Sequence, residues 1–178
     1  VYGGEDNTFR NLYVADMLTY AGITVSSLNF GYPMRDFGPD PTTIQNVSIV
    51  RAGGHFWGAQ TFPGIWMFSA NQKFQGIRVS DVDIVDPTYS GIMFQTDYVG
   101  GAPLNPITDT VLTNVSISGA QQSGDAYNAK SGFGIWANEL PEAGQGPAVG
   151  SATFTNLKLS NNYIDIRNTT STFTINRN

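Results

Sequence analysis

The sequence predicts an all-β protein wound as a parallel β-solenoid, on three observations. The first is a short pattern that returns five times: Phe9-Arg-Asn11-Leu-Tyr-Val14, Ile44-Gln-Asn46-Val-Ser-Ile49, Val79-Ser-Asp81-Val-Asp-Ile84, Leu112-Thr-Asn114-Val-Ser-Ile117 and Phe154-Thr-Asn156-Leu-Lys-Leu159. Each copy sets an Asn or Asp among alternating apolar residues, the mark of a short strand with one buried face. The second is the period, since the Asn/Asp positions lie 35, 35, 33 and 42 residues apart. The third is a Gly-Ile pair inside four of the units, at Gly22-Ile23, Gly64-Ile65, Gly91-Ile92 and Gly134-Ile135. Two strands per unit, no helical period and a unit of about 35 residues indicate coils that bury their apolar faces by stacking on one another.

Five coils follow in order, at 7–41, 42–75, 76–107, 108–150 and 151–178, making residues 1–178 one β-helical segment. In each, the Asn or Asp is expected at a turn or strand edge, where stacked side-chain amides can bond along a column. The Gly-Ile pair opens the second strand, so Ile23, Ile65, Ile92 and Ile135 should form one internal column. Between the two lie connections of 11, 18, 10 and 20 residues, loops of unequal length on a fixed scaffold,. A Gly/Pro-rich excursion, 139–147, leads into the last coil. The chain opens on Val1-Tyr2-Gly3-Gly4, the end of a strand and a turn without a cap, which suggests a piece of a longer solenoid,.

Composition narrows the function. Ser, Thr and Asn supply 45 residues while charged residues make up 13%, a balance suited to a secreted β-rich protein. A net charge of -5 with no basic cluster argues against nucleic acid, whose binding rests on phosphate neutralisation,. No apolar run approaches the ~18 residues of a membrane span. With no Cys and a single His, disulfides, thiolate sites and multi-histidine metal centres are excluded,. No cofactor or metal is expected.

Stacking turns sequence register into columns. Five residues past each repeated Asn/Asp stand Asp16, Arg51, Asp86, Gly119 and Asn161. The first three form an acid–base–acid ladder, with Asp16 and Asp86 two rungs apart, roughly 9–10 Å between backbones. That is near the ~6.5–9.5 Å carboxyl separation of an inverting glycosidase. An Arg between two carboxylates nevertheless lowers both pKa values, so a salt-bridged ladder closing a turn is the competing reading. Alternation turns Thr24, Trp66, Met93 and Trp136 outward, where Trp66 and Trp136 either offer flat faces to sugar rings or lie under a loop as satellite core. His55 and Trp57 in a Gly-rich loop, Tyr89 beside Asp86, and Tyr127 beside Asp125 pair polar groups with aromatics as sugar sites do, and as plain turns do too.

Four strings then resemble a known family: Tyr2-Gly-Gly-Glu-Asp-Asn7, Arg51-Ala-Gly-Gly-His-Phe-Trp57, Pro87-Thr-Tyr-Ser-Gly-Ile-Met-Phe-Gln95 and Asn138-Glu-Leu-Pro-Glu-Ala-Gly-Gln-Gly-Pro147. They are similar to glycoside hydrolase family 87, the bacterial α-1,3-glucanases and mycodextranases, and the similarity extends to Asp165-Ile-Arg-Asn-Thr-Thr-Ser-Thr-Phe173. The resemblance implies a right-handed parallel β-helix, secretion, and hydrolysis of α-1,3-glucosidic bonds in α-glucan or nigeran with inversion. The family's catalytic aspartates lie mainly upstream, in Asp-Gly and Asp-Asp-Gly strings, and this chain contains neither Asp-Gly nor Asp-Asp. It therefore resembles the C-terminal part of the catalytic solenoid, supplying cleft walls and substrate subsites as a monomer. Asp6 is the residue that carries over near the catalytic cluster; Asp16 and Asp86 are the other acid candidates. A non-catalytic carbohydrate-binding solenoid is the alternative. A polysaccharide lyase would need a catalytic base and a Ca²⁺ cluster of acids, and adjacent acids at ligand spacing are not evident.

Overall fold

The structure, a computed structural model, describes residues 1–29, 31, 36–55, 61–120, 132–139 and 145–178. The strands are β1 (Thr8–Ala15), β2 (Ile23–Ser26), β3 (Thr42–Val50), β4 (Ile65–Ser69), β5 (Ile77–Val85), β6 (Ile92–Val99), β7 (Ala102–Pro103), β8 (Thr110–Ser118), β9 (Phe133–Ala137), β10 (Gln145–Gly146), β11 (Gly150–Ser160), β12 (Ile164–Asn168) and β13 (Phe173–Arg177). One sheet runs β1-β3-β5-β8-β11-β13 and the other β2-β4-β6-β9-β12. Each coil gives one strand to each sheet, and successive coils pair in parallel, as a β-helix requires. The short β7 and β10 pair antiparallel with β6. β13 pairs with the start of β11, so a sixth coil begins beyond the five expected.

The first strand of each unit is in fact two straight runs. In β3, Thr42 and Ile44 point inward, Gln45 and Asn46 are both exposed, and Val47 and Ile49 point inward again. The alternation slips there because Asn46 has φ 55°, and its equivalents Asn11, Asp81, Asn114 and Asn156 lie between 54° and 59°. This left-handed conformation costs an ordinary L-residue roughly 1–2 kcal/mol, and Asn and Asp tolerate it best. One such residue turns the corner without breaking the ladder, so each coil has three straight runs where two were expected. The side chains stack as well: Asn46 Nδ2 donates to Asn11 Oδ1 at 2.8 Å, Asn114 Nδ2 to Asp81 Oδ1 at 2.9 Å, and Asn156 Nδ2 to Asn114 Oδ1 at 2.9 Å.

Ile23, Ile65, Ile92 and Ile135 form the expected internal column, which continues to Ile166. The glycine before each isoleucine is there because the coils touch. A Cβ on Gly22, Gly64 or Gly91 would lie 2.7–2.9 Å from the carbonyl oxygen of the next coil's equivalent glycine. At the third side, Phe37, Phe74 and Ile107 pack along the coil axis, the two rings edge to face at 5.4 Å.

Candidate functional site

The turns leaving β1, β3, β5 and β8 begin with the column Asp16, Arg51, Asp86, Gly119, and Asn161 extends it after β11. Backbone chemistry sets most of it, since all five have positive φ, from 49° at Arg51 to 75° at Gly119. Asp, Asn and Gly suit that conformation, whereas Arg has no such preference. Arg51 reaches back to coil one, donating from Nε to Asp16 Oδ1 at 2.7 Å and from Nη2 to Asp16 Oδ2 at 3.0 Å. The hydrogen bonds from Arg51, joined by its charge, hold Asp16 below the usual carboxylate range, and the same bonds raise Arg51. A general acid must keep its proton at working pH, so this pairing suits Asp16 to hold a turn or bind a polar group, not to donate a proton. Asp86 lies on the far side of Arg51 and adds to the field on it.

Asp6 is not brought to this column. It sits before β1, at the opposite end of that strand from Asp16, and its N–H donates to the Asp40 carbonyl at 3.2 Å. Extending the β1–β3–β5–β8 register places Asp6 level with Pro41, Gly76 and Asp109, and all of these but Pro41 have positive φ. Backbone geometry thus accounts for Asp at positions 6, 16 and 86 alike.

The aromatic candidates divide differently. Trp66 and Trp136 are 4% and 5% exposed, so the open sugar platform among the two expectations is corrected to satellite core. They lie on the outer face of the second sheet, in a cluster with Phe62, Phe68, Met93 and Phe133. Trp66 stacks on Phe68 at 4.6 Å and donates its indole N–H to Gln95 Oε1. The indole of Trp136 donates to Glu139 Oε2 at 2.6 Å, and Arg167 donates twice to Glu139 Oε1. Alternation gave their direction correctly, but not what lies on top of them. Tyr89, 4% exposed, is likewise buried and not an open sugar contact. His55 is half-buried, its backbone bridged to Thr61. Trp57, Asp125 and Tyr127 lie outside the described residues.

Three features escaped the sequence reading. The carboxylate of Asp97, at the root of the β6–β7 hairpin, is pushed up by burial and eased down by the Tyr98 N–H. Glu139 is half-buried and bonds to Trp136 on β9 and Arg167 on β12. Tyr13, pointing outward from β1, is 71% exposed, and its place between inward Leu12 and Val14 was readable from alternation. Among the described residues, a dent of about 90 Å³ beside the amide ladder, lined by Asn114, Ser116, Asn156 and Lys158, is smaller than the ~300–1,000 Å³ of sites that enclose a small molecule,. No group of three or more metal-ligating side chains occurs among the described residues.

A polar, amide-laddered coil of parallel strands places the chain in the class of parallel β-helix proteins. More narrowly, it belongs to the alpha-1,3-glucanase catalytic domain D2 family, whose model matches residues 1–177. Among solved structures it is similar to the catalytic domain of a glycoside hydrolase family 87 alpha-1,3-glucanase in complex with nigerose, at 36% identity and a TM-score of 0.86. The match covers 99% of this chain and 32% of that one, so the chain spans about a third of the catalytic domain it resembles. An aspartate-to-alanine variant of a family 87 catalytic domain, solved with tetrasaccharides, matches with the same values. The catalytic unit of a thermostable family 87 enzyme from Streptomyces thermodiastaticus shares the fold, at 20% identity and a TM-score of 0.66 over 98% of this chain and 30% of that one. Comparison with curated proteins gave no match.

Proposed function

We propose that this chain is the wall-forming part of a secreted catalytic domain that hydrolyses α-1,3-glucan. The observation that carries the reading is 36% identity, across nearly the whole chain, to a domain solved with nigerose and, in variant form, with tetrasaccharides. Hydrolysis with inversion needs a protonated acid on one side of the glycosidic oxygen and a base activating water on the other. Arg51 holds Asp16 ionised, which denies it the acid's proton, and both of its oxygens accept from that guanidinium. The chain's part is therefore to bind and orient glucan along its turns, while the acid and base come from coils outside it. Abundant hydroxyls and amides on the turns suit a polysaccharide substrate and an extracellular setting.

The test is reducing-sugar release from insoluble α-1,3-glucan, with the product anomer followed by NMR. The catalytic domain containing this chain should release β-configured ends, and the 178-residue chain alone should release sugar at least ~10²-fold more slowly, the contribution of one lost acid or base,. Glucan left intact by the whole domain, or comparable activity from the chain alone, refutes the reading.

A further inference from the structure

Arg51 is the residue that its turn does not explain. The other members of its column are Asp16, Asp86, Gly119 and Asn161, all of types that enter the left-handed region readily,. Arg51 holds φ 49° there, and residues kept in such regions mark places where a side chain serves something beyond the turn,. Its ion pair gives little in return, because the side chains of Arg51 and Asp16 are 56% and 58% exposed and water screens them,. The pairing does fix the guanidinium in one plane. Nε and Nη2 are committed to Asp16, and among the described residues Nη1 has no acceptor, so its N–H groups can donate outward,. Three residues before Asp16, on β1, Tyr13 presents a ring 71% exposed, near enough to Arg51 to act on its charge. Its neighbour on the β3 side of the ladder is Ser48, too small to cover it.

We propose that Tyr13, Arg51 and Asp16 form a sugar subsite on the outer surface of the first two coils, taking one glucosyl residue of an α-1,3-glucan. This rests on the function proposed above. The ring face of Tyr13 takes the C–H face of the sugar, while Nη1 donates to the glycosidic O3 and an Asp16 oxygen accepts from the neighbouring 4-hydroxyl. A planar guanidinium locked against a carboxylate matches two oxygens on neighbouring ring carbons, one that accepts and one that donates, with little ordering cost.

Depletion of the catalytic domain from solution by α-1,3-glucan particles at 4 °C, with cellulose particles as control, tests the subsite. Tyr13→Ala and Arg51→Asn should each weaken apparent affinity at least fivefold, and Tyr13→Phe should stay within twofold of the unaltered protein. Arg51→Asn should leave Tm unchanged or raise it, because Asn relieves the backbone; a merely structural ion pair predicts a fall. Unaltered affinity in both Tyr13→Ala and Arg51→Asn, or a lowered Tm with affinity intact in Arg51→Asn, overturns the subsite and leaves the glucanase reading standing. Failure of the unaltered domain to bind α-1,3-glucan removes both.

Discussion

At the scale of single residues, the coil is set by positions where a side chain is either impossible or strained, and the two cases differ in cost. Gly91 is the first kind: a Cβ there would lie 2.5 Å from Ile117 Cγ2 and 2.7 Å from the Gly134 carbonyl oxygen. Neither neighbour can yield easily, since one is core and the other is the backbone of the next coil. Gly100 is the second kind, with φ 59° and nothing within 4 Å of its Cβ position. Gly91→Ala should therefore cost about 3 kcal/mol, at the top of the overpacking range, and Gly100→Ala about 1 kcal/mol from backbone strain alone. Urea unfolding of the two variants measures this. Equal losses would mean that coil spacing, and not the turn, had been misjudged.

At the scale of the element, each bent strand depends on an amide that both turns the corner and joins the ladder. Asn114 has φ 54°, donates to Asp81 at 2.9 Å and accepts from Asn156 at 2.9 Å. Alanine removes both bonds and retains a strained backbone, whereas glycine removes the bonds and relaxes the backbone. Hence Asn114→Ala should lose about 2 kcal/mol and Asn114→Gly about 1 kcal/mol. The order is the informative part: a more stable alanine variant would show that the ladder, not the left-handed turn, sets this residue. Arg78 and Asp109 hold the preceding corner, with Arg78 Nη2 bonded to both carboxylate oxygens and Nη1 to the Asp109 carbonyl.

At the scale of the whole molecule, stability should follow the logic of a stack, in which each coil contacts its neighbours and interior coils have two. Ile92 is fully buried between Ile65 and Ile135, while Ile23, on the terminal strand of its sheet, is half-buried. In the 178-residue chain, Ile92→Ala should cost about 3–4 kcal/mol and Ile23→Ala no more than about 2 kcal/mol,. Thermal or chemical denaturation of the pair tests the gradient, and a uniform cost would argue for a core without coil-by-coil organisation. The loop strap belongs to this scale too. Glu139 joins Arg167 and Trp136, while Tyr98 Oη donates to the Pro147 carbonyl at 2.9 Å, so Glu139 and Pro147 are each tied to the second sheet.

What the sequence determined by itself was the coil. The recurrent Asn/Asp could be read because every coil needs a left-handed corner within its first strand and few residues supply one. The Gly-Ile pairs could be read because the coils approach too closely there for a Cβ. The Asp16–Arg51–Asp86 column followed from counting, since parallel stacking keeps register. The bend inside each first strand was hidden, because a local slip in alternation looks like ordinary noise until φ is known. Only the tertiary structure decided the fate of the aromatics. Alternation states which face of a sheet Trp66 and Trp136 occupy, but their burial depends on Phe62, Phe133 and Ile164, contributed by separate parts of the chain. The same is true of Glu139, whose charge makes sense only beside Arg167, 28 residues away. Local periodicity fixes direction; what waits in that direction depends on contacts between distant residues that no short stretch of sequence encodes.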